Sequence, residues 1–122
     1  MIEKIILDYL TENLDEKIFL EHQNNMPASY IIFEKTGSSQ KNHLKSAVFA
    51  FQSYADSLYN ASLLNEKLKS TVLTLDKLSE ISGVYLNSDY NFTDTTTKKY
   101  RYQAVFNINY YWGGKTCPIH KM

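Results

Sequence analysis

The hydrophobic pattern predicts an α+β fold, a mostly antiparallel twisted sheet of about five strands flanked by two main helices, in the order α-β-β-β-α-β-β. Three observations carry this prediction. One helical stripe opens the chain and a second fills its middle; several runs follow the period of two that strands show; and polar turn chemistry separates those runs without any βαβαβ alternation.

The first element is set by Ile2, Ile5, Ile6, Tyr9 and Leu10, whose i, i+3, i+4, i+7, i+8 spacing puts them on one face of a helix ending near Asn13. Lys17–Glu21 reads as a short strand, with a loop from His22 to Pro27 behind it. Tyr30–Lys35 is a second strand. Thr36–Asn42 is turn chemistry and predicts a long hairpin loop over 36–43. The third strand, Leu44 to Tyr54, is apolar on both faces, as expected for a central strand or one at an interface. Asp56 and Ser57 are good N-caps for a helix of about five turns, with Leu58, Ala61, Leu64, Leu68, Val72 and Leu75 on the core side and Asn65, Glu66, Lys67 and Lys69 toward solvent. Ser82-Gly83 punctuates, Val84–Asp89 is a fourth strand, and residues 90–99 form the extended loop of a second hairpin. From Tyr100 to Trp112 apolar residues fill the even positions and mostly polar ones the odd positions, a fifth strand with one core face. These elements predict a single domain over 1–112 and a flexible C-terminal tail over 113–122.

Length and composition agree with one small globular domain: 122 residues, 43% hydrophobic, with few Gly and Pro. Thirteen basic residues balance thirteen acidic ones, which disfavours nucleic acid or an anionic membrane as the main partner. The opening MIEKIILDYL carries Glu3 and Asp8 within its apolar stretch, so it predicts neither a signal peptide nor a spanning helix, and a soluble cytoplasmic chain is expected. One cysteine excludes an intramolecular disulfide.

Catalytic raw material is sparse. Cys117-x-x-His120 has a metal-like spacing but no second pair, and His22 and His43 fall in predicted loops. There is no phosphate loop, no Gly-x-Ser-x-Gly and no His-Glu-x-x-His; Asp89 and Asp94 to Thr97 lack the Gly and closing Glu of a calcium loop. No enzyme and no cofactor are expected. Lys98, Lys99 and Arg101 near Tyr100, Tyr102 and Phe106 suggest a base-stacking sheet surface, but Arg101 and the aromatic residues lie on opposite faces. Surplus apolar residues say more: Leu7, Leu63 and Leu73 lie off their helical stripes, and Val105 and Tyr111 fall on the polar face of the last strand, a pattern that suits self-association.

Ala28–Gly37 (ASYIIFEKTG), Gln52-Ser53-Tyr54-Ala55 before the second helix, and Leu86–Asp94 (LNSDYNFTD) with Tyr100–Phe106 (YRYQAVF) resemble the small tail-terminator, or head-tail joining and tail-completion, proteins of long-tailed bacteriophages. The similarity covers residues 1 to 112. It implies a structural protein that closes into a homo-hexameric ring, caps the tail tube at its final length and offers its other face to the head connector. The implied partners are copies of itself, the tail-tube protein and the head-connector protein, with no membrane, no cofactor, and nucleic acid only as DNA passing through the ring. The implied place is the virion, at the tail-neck junction, after assembly in the host bacterial cytoplasm. By the same analogy Lys41, His43, Asp94, Lys98, Lys99 and Arg101 would make contacts across the ring or to the tube. The alternatives are a head-neck connector adaptor of related fold and a single-stranded nucleic-acid module using Tyr100, Tyr102 and Phe106.

Overall fold

In the computed structural model, which describes residues 1–111, the amphipathic start of the chain is helix α1 (Ile2–Asn13). It buries Ile2, Ile6 and Leu10 and ends where Leu14 turns to extended backbone. The second helix, α2 (Leu58–Leu73), begins as the sequence predicts: the Ser57 hydroxyl accepts from the Asn60 backbone N–H at 3.1 Å. A short 3-10 turn (Thr74–Lys77) follows and buries Leu75. Five strands complete the fold, β1 (Lys17–Phe19), β2 (Tyr30–Lys41), β3 (Leu44–Ala55), β4 (Ile81–Asn91) and β5 (Tyr100–Tyr111). Their order in the sheet is β1-β2-β3-β5-β4, antiparallel throughout except for the parallel β1–β2 pair.

Both helices lie on one face of this sheet. Ile6, Leu10, Leu64, Leu68 and Val72 from the helices meet Ile31, Phe33, Ala47, Phe49, Phe51, Ala104, Phe106 and Ile108 from the strands in one buried cluster. Each large side chain there contributes roughly 1.5–3 kcal/mol by leaving water. The opposite face carries a smaller cluster, Tyr30, Ile32 and Tyr54, covered by Phe19 and by Met26 of the β1–β2 connection. The doubly apolar β3 thus sits in the middle of the sheet, between β2 and β5.

Several local expectations are corrected. Residues 36–41 are not a loop but the outer half of β2, paired with Leu44–Val48, with a bulge between Lys35 and Gly37. Their polarity reflects exposure on both faces, and the turn shrinks to Asn42-His43, where Asn42 takes the left-handed backbone (φ 59°) that asparagine tolerates. Residues 90–99 are likewise tighter than predicted. β4 runs on to Asn91, the Phe92 N–H donates to the Arg101 carbonyl, and Asp94 bridges Lys99, so only residues 95–98 form the tip. β4 also begins earlier, at Ile81, because Ser82-Gly83 is a bulge rather than a stop. Leu58 is exposed, and Asn65 is buried on the face of α2 that packs inward, the reverse of the predicted sides. Trp112 and the tail with Cys117 and His120 lie outside the described residues.

Candidate assembly surfaces

The uncovered face of the sheet is tied together by side chains from three strands. Alternation along β3 and β5 sets Gln52 directly opposite Gln103, and Tyr54 opposite Arg101. The Gln52 amide donates to Gln103 Oε1 at 2.8 Å, and the Tyr54 hydroxyl donates to Gln52 Oε1 at 3.0 Å. Arg101 extends this network. Its Nη1 donates to the Tyr54 hydroxyl at 2.9 Å, its Nε donates to the Phe92 carbonyl at 2.6 Å, and its guanidinium lies 4.4 Å from the centre of the Phe92 ring. Tyr30 stacks on Tyr54 with ring centroids 4.6 Å apart, and His22 meets both rings edge-on. Burial, reinforced by neighbouring Tyr54, raises the Tyr30 phenol above its usual pKa.

Two groups of exposed apolar residues lie on opposite sides of the molecule. On α2, Tyr59, Leu63 and Leu73 share one stripe turned away from the sheet; Tyr59 is 72% exposed. On β4, Tyr85 (58% exposed) and Tyr90 pair with Asn107 and Gln103, which puts them on the uncovered face, beside Phe92. The Tyr85 ring lies over Gly83: a Cβ added there would sit 2.6 Å from the Tyr85 hydroxyl, so the glycine leaves the ring its place. Leu63 and Leu73 were foreseen as surplus; Tyr59 falls on their stripe, four residues before Leu63, and Tyr85 carries no such periodic signal.

The six residues singled out in the sequence divide between the two ends of the sheet. Lys41 and His43 lie at the β2–β3 turn, while Asp94, Lys98, Lys99 and Arg101 cluster at the β4–β5 tip. β3 spans the distance between these ends, about 35 Å at the usual strand rise. At the second tip two of the four hold the hairpin itself. Arg101 is bound as described, and Asp94 accepts the Thr96 and Thr97 backbone N–H groups at 3.0 and 3.4 Å. Hydrogen bonds from Thr97 and Thr96 keep the Asp94 carboxyl below its usual pKa. Lys98 and Lys99 are exposed, and Lys98 takes a left-handed backbone (φ 57°) more usual for glycine. The Tyr100–Tyr102–Phe106 stacking surface does not form, because Phe106 is fully buried under the helices.

A partly buried polar link joins α2 to β4, which the sequence-based expectations do not include. The Asn65 amide donates to Asp89 Oδ1 at 2.6 Å, and Lys69 pairs with Asp89 and, at 2.9 Å, with Glu66. Hydrogen bonds to Asp89 and then Glu66 raise the Lys69 ammonium above its usual pKa. The signal was present: Asn65 lies at i+4 from Ala61 and i−3 from Leu68, on the apolar stripe. Among the described residues, no three His, Cys, Asp or Glu side chains converge as metal ligands, and no helix is long and apolar enough to cross a membrane. No protein-family model matches the chain, and the curated proteins give no match.

Proposed function

We propose that the protein is a structural subunit of a long-tailed phage that closes with copies of itself into a hexameric ring, caps the tail tube at its final length and offers a joining surface to the head connector. The observation that supports this reading is that several of the exposed apolar residues of the surface gather in two separate places, Tyr59, Leu63 and Leu73 outside α2 and Tyr85, Tyr90 and Phe92 on the far side of the sheet. A ring built by rotation joins one patch of each subunit to a different patch of the next, whereas a two-fold dimer needs one self-complementary patch. The resemblance of Leu86–Asp94 and Tyr100–Phe106 to tail terminators supplies the tube and the head connector as partners.

The test is a tube-assembly assay with the tail-tube protein. Adding the protein should arrest elongation and leave rings at tube ends in negative stain. Tyr59→Glu and Tyr85→Glu, each with an unchanged circular dichroism spectrum, should abolish the arrest. Tubes that elongate unchanged in the presence of the protein contradict the reading, and binding to heads without control of tube length favours the connector adaptor.

A further inference from the structure

The sheet has two uncovered edges. β1 pairs only with Tyr30–Ile32, so no strand of the described chain covers the outer side of β2 from Glu34 to Lys41. At the far side β4 pairs with β5 alone among the described strands. Exposed edges of this length present rows of backbone donors and acceptors that recruit another strand.

These edges match in direction, height and charge. Three successive antiparallel pairings separate β2 from β4, so the two run in opposite senses. A second copy set beside β4 with the same face up therefore presents its β2 antiparallel. The pairing across the sheet gives the heights: Ser38 is level with Ala47, Ile108 and Val84, and Glu34 with Ala50, Val105 and Ser88. Lys41 is level with Leu44 and Tyr111, and the Tyr111 N–H donates to the Glu80 carbonyl at 3.1 Å. Flush neighbours thus set Glu34–Lys41 of one copy beside Glu80–Ser88 of the next, with the Lys41 ammonium next to the Glu80 carboxylate. The irregularities coincide too, since the Lys35/Gly37 bulge and the Leu86/Ser88 bulge fall within about one residue of the same height.

Backbone alternation shows which groups face outward. The Arg101 carbonyl accepts from Phe92 and the Tyr111 N–H donates to Glu80, so the odd residues of β5 address β4 and the even ones β3. Carried across the registers, this leaves the N–H groups of Ser38 and Gln40 on β2, and of Val84 and Leu86 on β4, directed out of the sheet.

We propose that Glu34–Lys41 of one copy adds antiparallel to Glu80–Ser88 of the next, so that one continuous sheet runs from subunit to subunit. This rests on the ring reading above and names the contact that closes the ring. Proline on an edge strand removes an outward N–H and leaves the inner ladder intact, so Gln40→Pro and Leu86→Pro in the full chain are the probes. Sedimentation velocity should show the wild-type chain as a ring and each proline variant, still folded by circular dichroism, as a monomer. Lys41→Glu should weaken assembly about tenfold by setting two acids side by side, and Lys41→Glu with Glu80→Lys should restore it. This charge swap decides the matter if a proline variant fails to fold. Rings that survive the proline changes, or are indifferent to Lys41→Glu, overturn the edge pairing and leave the ring reading standing. Two-fold dimers lost in Leu86→Pro but kept in Gln40→Pro would show β4 pairing with itself and also overturn it. A wild-type chain that stays monomeric at its highest soluble concentration, with and without tail-tube protein, contradicts both.

Discussion

The two faces of the sheet are made by alternate residues of the same strands, yet they are held by different forces. Toward the helices β3 and β5 present Phe49, Phe51, Ala104, Phe106 and Ile108, all fully buried and joined only by packing. Toward the other side the same strands present Gln52, Tyr54, Arg101 and Gln103, joined by hydrogen bonds and partly wet. The covered face therefore carries stability through apolar packing, and the one hydroxyl among its β3 side chains, Ser53 Oγ, is buried without a hydrogen-bond partner among the described residues. On the open face Gln52, Tyr54, Arg101 and Gln103 are linked in one hydrogen-bonded network along and across β3 and β5, which holds these side chains in fixed positions.

Substitutions on the two faces should differ in scale. Phe51 stacks on Phe33 at 5.2 Å and meets Phe106 edge-on at 5.7 Å. Phe51→Ala should cost about 3–5 kcal/mol in urea unfolding, since the cavity adds to the lost burial. At the seam between α2 and β4, Asp89→Ala leaves the buried Asn65 amide without its acceptor, and a loss of about 1–3 kcal/mol is expected by the same measurement. Tyr54→Phe on the open face removes one hydroxyl that accepts from Arg101 and donates to Gln52, and should cost only about 1 kcal/mol while leaving the urea slope unchanged. A loss as large as that of Phe51→Ala would break the division between the faces.

The smallest effect is on pH. Burial raises the phenols of Tyr30, on the open face, and Tyr110, on the covered face, above their usual value. Asp89 and Glu66 raise the Lys69 ammonium. All three have folded-state values above the unfolded ones. Their contributions are therefore fully present below pH 10 and are lost as pH rises through the folded values. Thermal melts between pH 8 and about 11 should show this alkaline loss, and Tyr30→Phe should flatten it without moving the neutral-pH melting point by more than a degree or so. An unchanged alkaline limb in Tyr30→Phe would assign the loss to the covered face instead.

Period was the most readable feature of the sequence. α1, the capped start of α2 and the alternation of β5 were all apparent, because each has one face that must be buried and one that must not. Misread were the segments with no buried face. Thr36–Lys41 and Tyr90–Asn91 are strands set by backbone pairing without a buried apolar face, and their Thr, Ser, Gln and Asn side chains read as turns. The same cause hid half of the candidate site. Sequence charge pointed to both hairpin tips, yet the β2 edge between Glu34 and Lys41 emerged only when residues 36–41 proved to be strand. Asp94 and Arg101, whose charges suggest contacts, are engaged inside the fold, Asp94 within its own hairpin and Arg101 with Phe92 and Tyr54.

Closure of the proposed ring is read from the mass of the protein in solution by light scattering after gel filtration, with negative-stain images of the peak. One discrete species of six times 14.2 kDa with a central hole is expected, formed by the protein alone or upon addition of tail-tube protein. A 14.2 kDa monomer at every concentration, with and without tail-tube protein, would contradict it.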